Sequence, residues 1–416
     1  MDCPKRSTPA GLPYDAIVEI LARLPARSVY RFKCVAKAWR DLIDDPLNRK
    51  KLPQTLEGFF IIDIFFLLRM PMYVESFVEH FGFINLLPRS VPLDIDPRFS
   101  FLRKRPEIEN LLFSDSCNGL LLFDHARKSN LLDTLGYIVC NPATKQCETV
   151  STCSCCPPST ECSKWYTRLA FDPAVSSHFH LIHFWKKGLD EEVEPLEDQV
   201  SVLSVCAYSS ETGTWSQSQI DWNEQGQLEG WRHQGILSYD TSQYVFFNCV
   251  LHVILFGFDH VQIVALDVQG KTQRMITMPA AAEGRCWKYK GYIGHSQGRL
   301  HYINNEVDAH DQSCELSIWV LQDYDRQEWL LKDTVSFLKL FGKKSCTGSR
   351  SDFSVVAIHQ DCNVVFFLQP LNRLIAYDMD RKEVIVIATF EHEFQDARIA
   401  PYTPYFSESL TLASKL

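Results

Sequence analysis

An apolar or aromatic strand runs into a short polar turn and out into a second strand five times along this chain, in YIVCNPATKQCETV, VCAYSSETGTWSQS, IVALDVQGKTQRMI, WVLQDYDRQEWLL and IAYDMDRKEVIVI. The turns start at Asn141, Ser209, Asp267, Gln322 and Asp378, which spaces the units 68, 58, 55 and 56 residues apart. Self-similarity at such a period marks a supersecondary unit that cannot bury its own faces and must stack on its neighbours. Further apolar runs fill the intervals: FFIIDIFF from Phe59, CNGLLLF from Cys117, VSVLSVCAY from Val200, YVFFNCVLHVILF from Tyr244, LSIWVL from Leu316 and NVVFFL from Asn363. Most are apolar on successive residues, so both faces of each strand must be covered.

Four-stranded blades around an axis meet these demands, and the spacing is close to the roughly 50-residue unit of kelch-type blades once loops are allowed for. Counting Phe59 to Leu87 as a further unit gives about six blades. The expected fold is therefore a large all-β, propeller-like and kelch-like domain over residues 53–412, with a short tail at 413–416.

Ahead of it the texture is helical. Ile17, Ile20, Leu21 and Leu24 share one helix face by their spacing, opened at Pro13 and closed at Pro25. A second helical run groups Val29, Phe32 and Val35, and a third places Trp39 beside Leu42 and Ile43 before Asp44, Asp45 and Pro46 end the pattern. Three short helices over residues 12–52 are expected, behind a disordered stretch at 1–11. A segment of about 40 residues buries too little surface to stand alone, so this module needs a partner to dock on.

Leu12-Pro13, Ile20-Leu21, Leu24-Pro25, Ser28, Phe32, Cys34-Val35, Lys37, Trp39 and Leu42-Ile43 together resemble an F-box. Ala36 stands where plant members of that family often carry a cysteine, and both are small enough for a packed helix. The resemblance implies binding to an SKP-type adaptor, and through it to a cullin, by Leu12, Pro13, Ile17, Ile20, Leu21, Leu24, Pro25, Val29, Val35 and Trp39. The strand-rich part resembles the F-box-associated domain of plant F-box proteins through SCNGLLLF at 116–123 and the Asn141-Pro142 turn, and PYTPYFSESLTL is similar to that domain's closing strand.

Other chemistries find little support. With 42 basic against 51 acidic residues the net charge is -9, and no long basic run offers a phosphate backbone a track, so nucleic acid is not an expected partner. The most apolar stretch, Phe59 to Leu68, falls short of the roughly 20 residues that span a bilayer, so no membrane is expected, and MDCPKRSTPAG has no apolar core of a signal peptide. The 15 cysteines sit mostly in apolar runs, such as Cys140, Cys206 and Cys249, and read as reduced small hydrophobes. Cys147, Cys153, Cys155, Cys156 and Cys162 cluster, yet their spacing lacks the paired hooks of a zinc site, and a variable loop is expected. His178 and His180 fall on one strand face and His183 on the other, and Asp308, His310 and Asp311 belong to a polar loop. No phosphate loop, nucleophile elbow or HExxH helix occurs, so no catalytic residue, metal or cofactor is expected.

The expected function is that of a substrate-receptor subunit of an SCF-type ubiquitin ligase, itself non-catalytic, in which the propeller holds a protein target. Candidate target-binding loops are Ser151 to Lys164, Asn223 to Gln234, Glu306 to Ser313 and Gly342 to Asp352. The alternatives are an F-box scaffold that acts without degradation, and a propeller enzyme such as a glycosidase, which needs paired carboxylates at the axis. Nucleus or cytoplasm is the expected location, and Ser414-Lys415-Leu416 spells a peroxisomal import signal as the alternative.

Overall fold

The computed structural model describes residues 12–24, 26–49, 51–53, 55–65, 78–86, 95–127, 130–153, 162–187, 203–219, 243–256, 261–279, 291–307, 313–344, 353–369, 373–390 and 398–406. Four helical segments come first: α1 (Tyr14–Ala22), α2 (Ala26–Phe32), α3 (Lys37–Asp44) and α4 (Pro46–Arg49). The expected end at Pro46 is instead a restart, since proline suits a first helical turn that lacks a partner for its N–H. Asn48 on α4 is buried and donates to the Tyr14 hydroxyl at 2.6 Å and the Leu42 carbonyl at 2.8 Å, which pins α4 to both α1 and α3. Val35 lies in the turn beyond α2, so it does not share that helix's buried stripe with Val29.

Five four-stranded antiparallel sheets follow. The closing sheet takes β1 (Gly58–Phe65) and β2 (Val78–Asn85) from the start of the domain; a short α5 (Ser100–Arg103) then leads into the blades. The first blade holds β3 (Asn110–Cys117), β4 (Leu120–Arg127), β5 (Asn130–Asn141) and β6 (Gln146–Val150). The second holds β7 (Cys162–Ala170), β8 (His180–Lys187), β9 (Leu203–Ser209) and β10 (Thr214–Gln219). The third holds β11 (Tyr244–Phe247), β12 (Val250–Phe256), β13 (Val261–Leu266) and β14 (Thr272–Thr277). The fourth holds β15 (Tyr292–Ser296), β16 (Arg299–Val307), β17 (Cys314–Asp323) and β18 (Glu328–Ser336), followed by α6 (Phe337–Phe341). The fifth holds β19 (Ser354–Ile358), β20 (Val364–Gln369), β21 (Arg373–Asp378) and β22 (Glu383–Thr389). The last strand, β23 (Arg398–Tyr402), returns to pair with β1, Gly58 against Tyr402 and Ile62 against Arg398, completing a sixth, three-stranded blade in the order β2-β1-β23.

Six sheets thus make a six-bladed propeller, and the unit counted from Phe59 to Leu87 is completed only by the far end of the chain. The closing strand ends at Tyr402, earlier than the run PYTPYFSESLTL implied, and Ser407 to Leu412 lie outside the described residues.

The alternation of side chains along a strand explains why the runs are apolar throughout. Leu121 and Phe123 on β4 pack towards the closing blade with Phe60, Ile62 and Tyr402, while Leu120 and Leu122 pack towards the second blade with Leu169, Phe179 and Leu181. Each adjacent pair of blades shares such a core, so each blade supplies two faces and no blade is stable by itself. Each fully buried aliphatic or aromatic side chain contributes roughly 1.5–3 kcal/mol.

The repeated turns have one geometry. The side chains of Asn141, Ser209, Asp267, Asp323 and Asp378 accept the backbone N–H two residues on, at 3.0, 3.3, 3.0, 2.9 and 2.9 Å. The fourth turn therefore starts at Asp323, one residue after the expected Gln322, because a carboxylate fits this role and is followed by the same pattern. Each hairpin then passes through the left-handed region, at Lys145, Gly213, Gly270, Gln327 and Lys382. Three of the five hairpins from inner to second strand use two residues with positive φ, Asn118-Gly119, Asn248-Cys249 and Gln297-Gly298, as a type I′ turn requires.

All these tight turns lie at one end of the ring, because strands alternate in direction within every blade. Gly58 opposes Tyr402 at that same end, so the chain passes from the helical module into the ring there. The connections between second and third strands and from blade to blade leave from the other end.

Candidate functional site

Two regions carry exposed or buried features beyond what the fold requires: the surface of the helical module and the axis of the ring. In the module, Ile17, Leu21 and Val29 form a small core with Val18, Leu42, Ile43 and Leu52, with Leu24, Phe32 and Trp39 packed at its margin. Trp39 stacks on Phe32 with ring centroids 4.9 Å apart. Ile17, Leu21 and Val29 are 2%, 1% and 0% exposed, whereas Leu12, Ile20 and Val35 are 45%, 51% and 67% exposed. Leu47 on α4, which periodicity did not single out, is 76% exposed. The expected adaptor-binding set thus divides into residues that hold the module together and residues that a partner can reach. Pro13 is exposed at the start of α1, and Pro25 lies outside the described residues. The four residues expected on one helix face do not share it: α1 turns Ile20 away from the side that buries Ile17 and Leu21, and it ends at Ala22, before Leu24.

At the axis, the innermost strands of the blades and Leu56 surround a cavity of ≈140 Å³. Asp115 on β3 is the one carboxylate among the described residues that line it, and no lysine or arginine joins it. Its oxygens accept the Ser116 N–H at 2.6 Å, the Leu169 N–H at 2.7 Å and the Tyr244 hydroxyl at 2.7 Å, so a single side chain ties together the first three blades. Arg168 is buried beside it, with its guanidinium 3.9 Å from the centre of the Tyr244 ring. Burial pushes the Asp115 carboxyl up, against the Arg168 charge and these three donors, which pull it down. A lone acid inside the apolar run LLFSDSC was the signal for this residue in the sequence.

The stretch after Asp115 forms a latch. Asn118 donates to the Phe171 carbonyl at 2.7 Å, and Asn141 donates to the Tyr405 carbonyl at 2.7 Å. Gly119 has φ +93°, and a Cβ there would stand 2.6 Å from the Thr403 carbonyl oxygen. SCNGLLLF, the Asn141-Pro142 turn and the segment around Tyr405 are thus parts of one closure, in which the last described residues cross the first blade's turn.

Other expected groups resolve as follows. His183 is buried between blades with Nδ1 2.8 Å from the Thr167 hydroxyl and 3.2 Å from that of Tyr137, and β8 begins at His180, so His178 precedes the strand. Cys140 and Cys206 are buried free thiols and Cys249 is half-buried at a turn, but Cys153 and Cys314 are disulfide-bonded, a departure from the reading of the cysteines as reduced. Residue spacing carries no information on which thiols the fold brings together. Cys147 is a buried thiol of the first blade's core, and no group of metal ligands forms among the described residues. Cys155, Cys156, Asp308, His310, Asp311, Ser414, Lys415 and Leu416 lie outside the described residues, as does most of each candidate loop.

Known proteins match both parts of the chain. Residues 10–51 match the F-box domain, and residues 73–403 match the family described as F-box protein At3g26010-like, beta-propeller. F-box protein At1g47340 of Arabidopsis thaliana is 22% identical over 330 residues, a match covering 77% of this chain and 62% of that protein. Putative F-box protein At3g10240 of the same plant is 22% identical over 352 residues, covering 82% and 76%. Among solved structures, alpha-L-arabinofuranosidase from Lactobacillus brevis is similar with a TM-score of 0.33 and 10% identity, over 71% of this chain and 93% of that one, too slight a likeness to carry an argument. With an F-box at its N-terminal end and the propeller model matched over residues 73–403, this chain belongs to the At3g26010-like beta-propeller family of F-box proteins.

Proposed function

We propose that this protein is a substrate-receptor subunit of an SCF-type ubiquitin ligase, in which the F-box binds an SKP-type adaptor and through it a cullin, and the propeller holds a protein target. The observation that carries this reading is the F-box surface: having completed its own core, the module leaves Leu12, Ile20 and Val35 in solvent. Single exposed apolar residues are ordinary, but three of them on one small module that matches an F-box point to a docking face. The division between the two parts falls at Leu52 and Pro53 in this reading. The subunit works by positioning, bringing a target lysine near activated ubiquitin and raising its effective concentration.

A non-catalytic role is supported by the axis, where Asp115, the one carboxylate among the described residues there, is engaged by three donors; a glycosidase needs a pair. The four candidate target-binding segments all leave the sheets at the end of the ring opposite the F-box junction, which favours that end as the target-facing one. Likeness to kelch-type blades rests on repeat length alone. The nucleus or cytoplasm is the compartment this role requires.

The test is co-purification of the chain with an SKP-type adaptor, comparing the wild type with Ile20→Asp combined with Val35→Asp. Covering the exposed half or more of each side chain is worth about 1–1.5 kcal/mol, so the pair should weaken binding roughly 30- to 150-fold while the helices stay folded. Equal binding by both proteins rejects the docking face.

A further inference from the structure

The cavity at the axis has two unlike ends. Midway through the ring its wall is apolar, with Phe113 on β3, Val245 on β11, Ile293 on β15, Val356 on β19 and Ile399 on β23. Towards the tight-turn end the wall is polar, with Ser116, Asn118, His295, Gln360 and Thr403. A volume of ≈140 Å³ is close to the roughly 150 Å³ that admits one benzene molecule in an apolar core, so there is room for about six to eight non-hydrogen atoms. Gly294 helps to keep that room: its φ is not left-handed, yet a Cβ there would stand 2.7 Å from the Tyr292 ring.

The fold does not use several of the polar groups at this end. The His295 ring stacks on Phe247 with centroids 4.9 Å apart, and its nitrogens make no hydrogen bond among the described residues. The same holds for the Gln360 side-chain amide and the Ser116 hydroxyl. Asp115 accepts three hydrogen bonds, and an ionised carboxylate has about four acceptor sites.

The charge around these groups is negative. Burial pushes the His295 imidazole down to about 4, while the Asp361 and Asp172 carboxylates pull it the other way, so both act at the cavity alongside Asp115. Arg168 offsets one of these three charges, and no lysine or arginine lines the cavity among the described residues. Such a site repels an anion and favours a cation, and its apolar half requires that the cation carry hydrocarbon.

We propose that the axis is a binding site for a small organic cation, a primary ammonium on a compact apolar body. An ammonium has three N–H donors, and the cavity offers three acceptors on three blades: the Asp115 carboxylate, an imidazole nitrogen of His295 and the Gln360 carbonyl oxygen. The hydrocarbon packs against Val245, Ile293 and Val356. A ligand held this way ties the first, fourth and fifth blades together and stabilises the closed ring by linkage, whatever the F-box binds.

The experiment titrates the full chain at pH 7.5 with butylammonium, 1-butanol and butyrate, three probes of similar size that differ in charge, by isothermal titration calorimetry with melting temperature as the second readout. Butylammonium should saturate one site and raise the melting temperature. 1-Butanol should bind about tenfold more weakly, for want of charge-assisted contacts, and butyrate should not bind. His295→Phe keeps the stack on Phe247 and removes the nitrogens, and Gln360→Leu removes the amide; each should weaken butylammonium about tenfold. The two variants lie on different blades, so either one serves if the other misfolds. Absence of saturable butylammonium binding, equal binding of the alcohol, or full binding by the folded variants overturns the site. Co-purification with the adaptor is independent of every one of these outcomes, so failure of the receptor reading is seen separately.

Discussion

Replacing Asp115 with alanine tests whether one carboxylate holds the first three blades at the axis. In the wild type its oxygens accept from Ser116, Leu169 and Tyr244 at 2.6–2.7 Å, in a buried site that faces Arg168. Alanine leaves the Leu169 N–H without its acceptor in a buried position, at about 1–3 kcal/mol. It also removes the hydroxyl bond from Tyr244, worth roughly 1.5–3 kcal/mol when the acceptor is charged, and the anion that Arg168 faces. These terms overlap, and a net loss of about 3–5 kcal/mol follows, as for other buried charges stripped of one partner. For a ring of about 350 residues, with roughly 2.1 cal/mol/K of unfolding entropy per residue, that corresponds to about 4–7 °C in melting temperature. Differential scanning calorimetry measures the shift, with adaptor binding as the control, since the F-box core is a separate cluster. Asn at the same position keeps acceptor oxygen without charge and should lose about half as much. A melting temperature for Asp115→Ala within about 1 °C of the wild type refutes the clasp.

Gly119→Ala places a Cβ against the Thr403 carbonyl at a backbone φ of +93°, so the latch must shift. The conformational strain alone costs about 1–3 kcal/mol, which a lowered urea midpoint will show. Burial holds His183, His252, His295 and His301 near a pKa of about 4, below the usual 6.5. Between those values the unfolded chain binds more protons than the folded one, so stability is full above pH 6.5 and falls as pH drops towards 4. Each histidine contributes up to about 1.4 kcal/mol per pH unit there, and equal urea midpoints at pH 7.5 and 5 contradict the burial of these rings. Leu21→Ala removes a fully buried side chain of the F-box core, at about 2–5 kcal/mol, and should unfold the helices seen by circular dichroism while the propeller's transition is unchanged.

Asn141, Ser209, Asp267, Asp323 and Asp378 all do the same work of closing a hairpin, and each sits where the third strand of its blade ends. The indole N–H of Trp215 donates to the Ser151 carbonyl and that of Trp329 to the Thr277 carbonyl, both at 2.9 Å, linking the outer strand of one blade to the end of the preceding blade's outer strand. These contacts hold the ring itself together.

Helical periodicity from Tyr14 to Asp44, the repeated strand–turn–strand units and the number of blades were legible in the residues, because each depends on side-chain spacing within one or two elements. SCNGLLLF and the Asn141-Pro142 turn stood out only through a resemblance, and the physical reason was not legible: Gly119 must be glycine on account of Thr403, which lies at the other end of the domain. The tertiary structure alone decided that Ile20 faces solvent while Leu21 is enclosed, that Cys153 and Cys314 are oxidised, that Asp115 serves three blades, and that β23 closes the ring on β1. A pattern read along the chain fixes which way a side chain points within its own element. What that side chain meets depends on contacts between residues as distant as Gly58 and Tyr402, which exist only once the ring has closed.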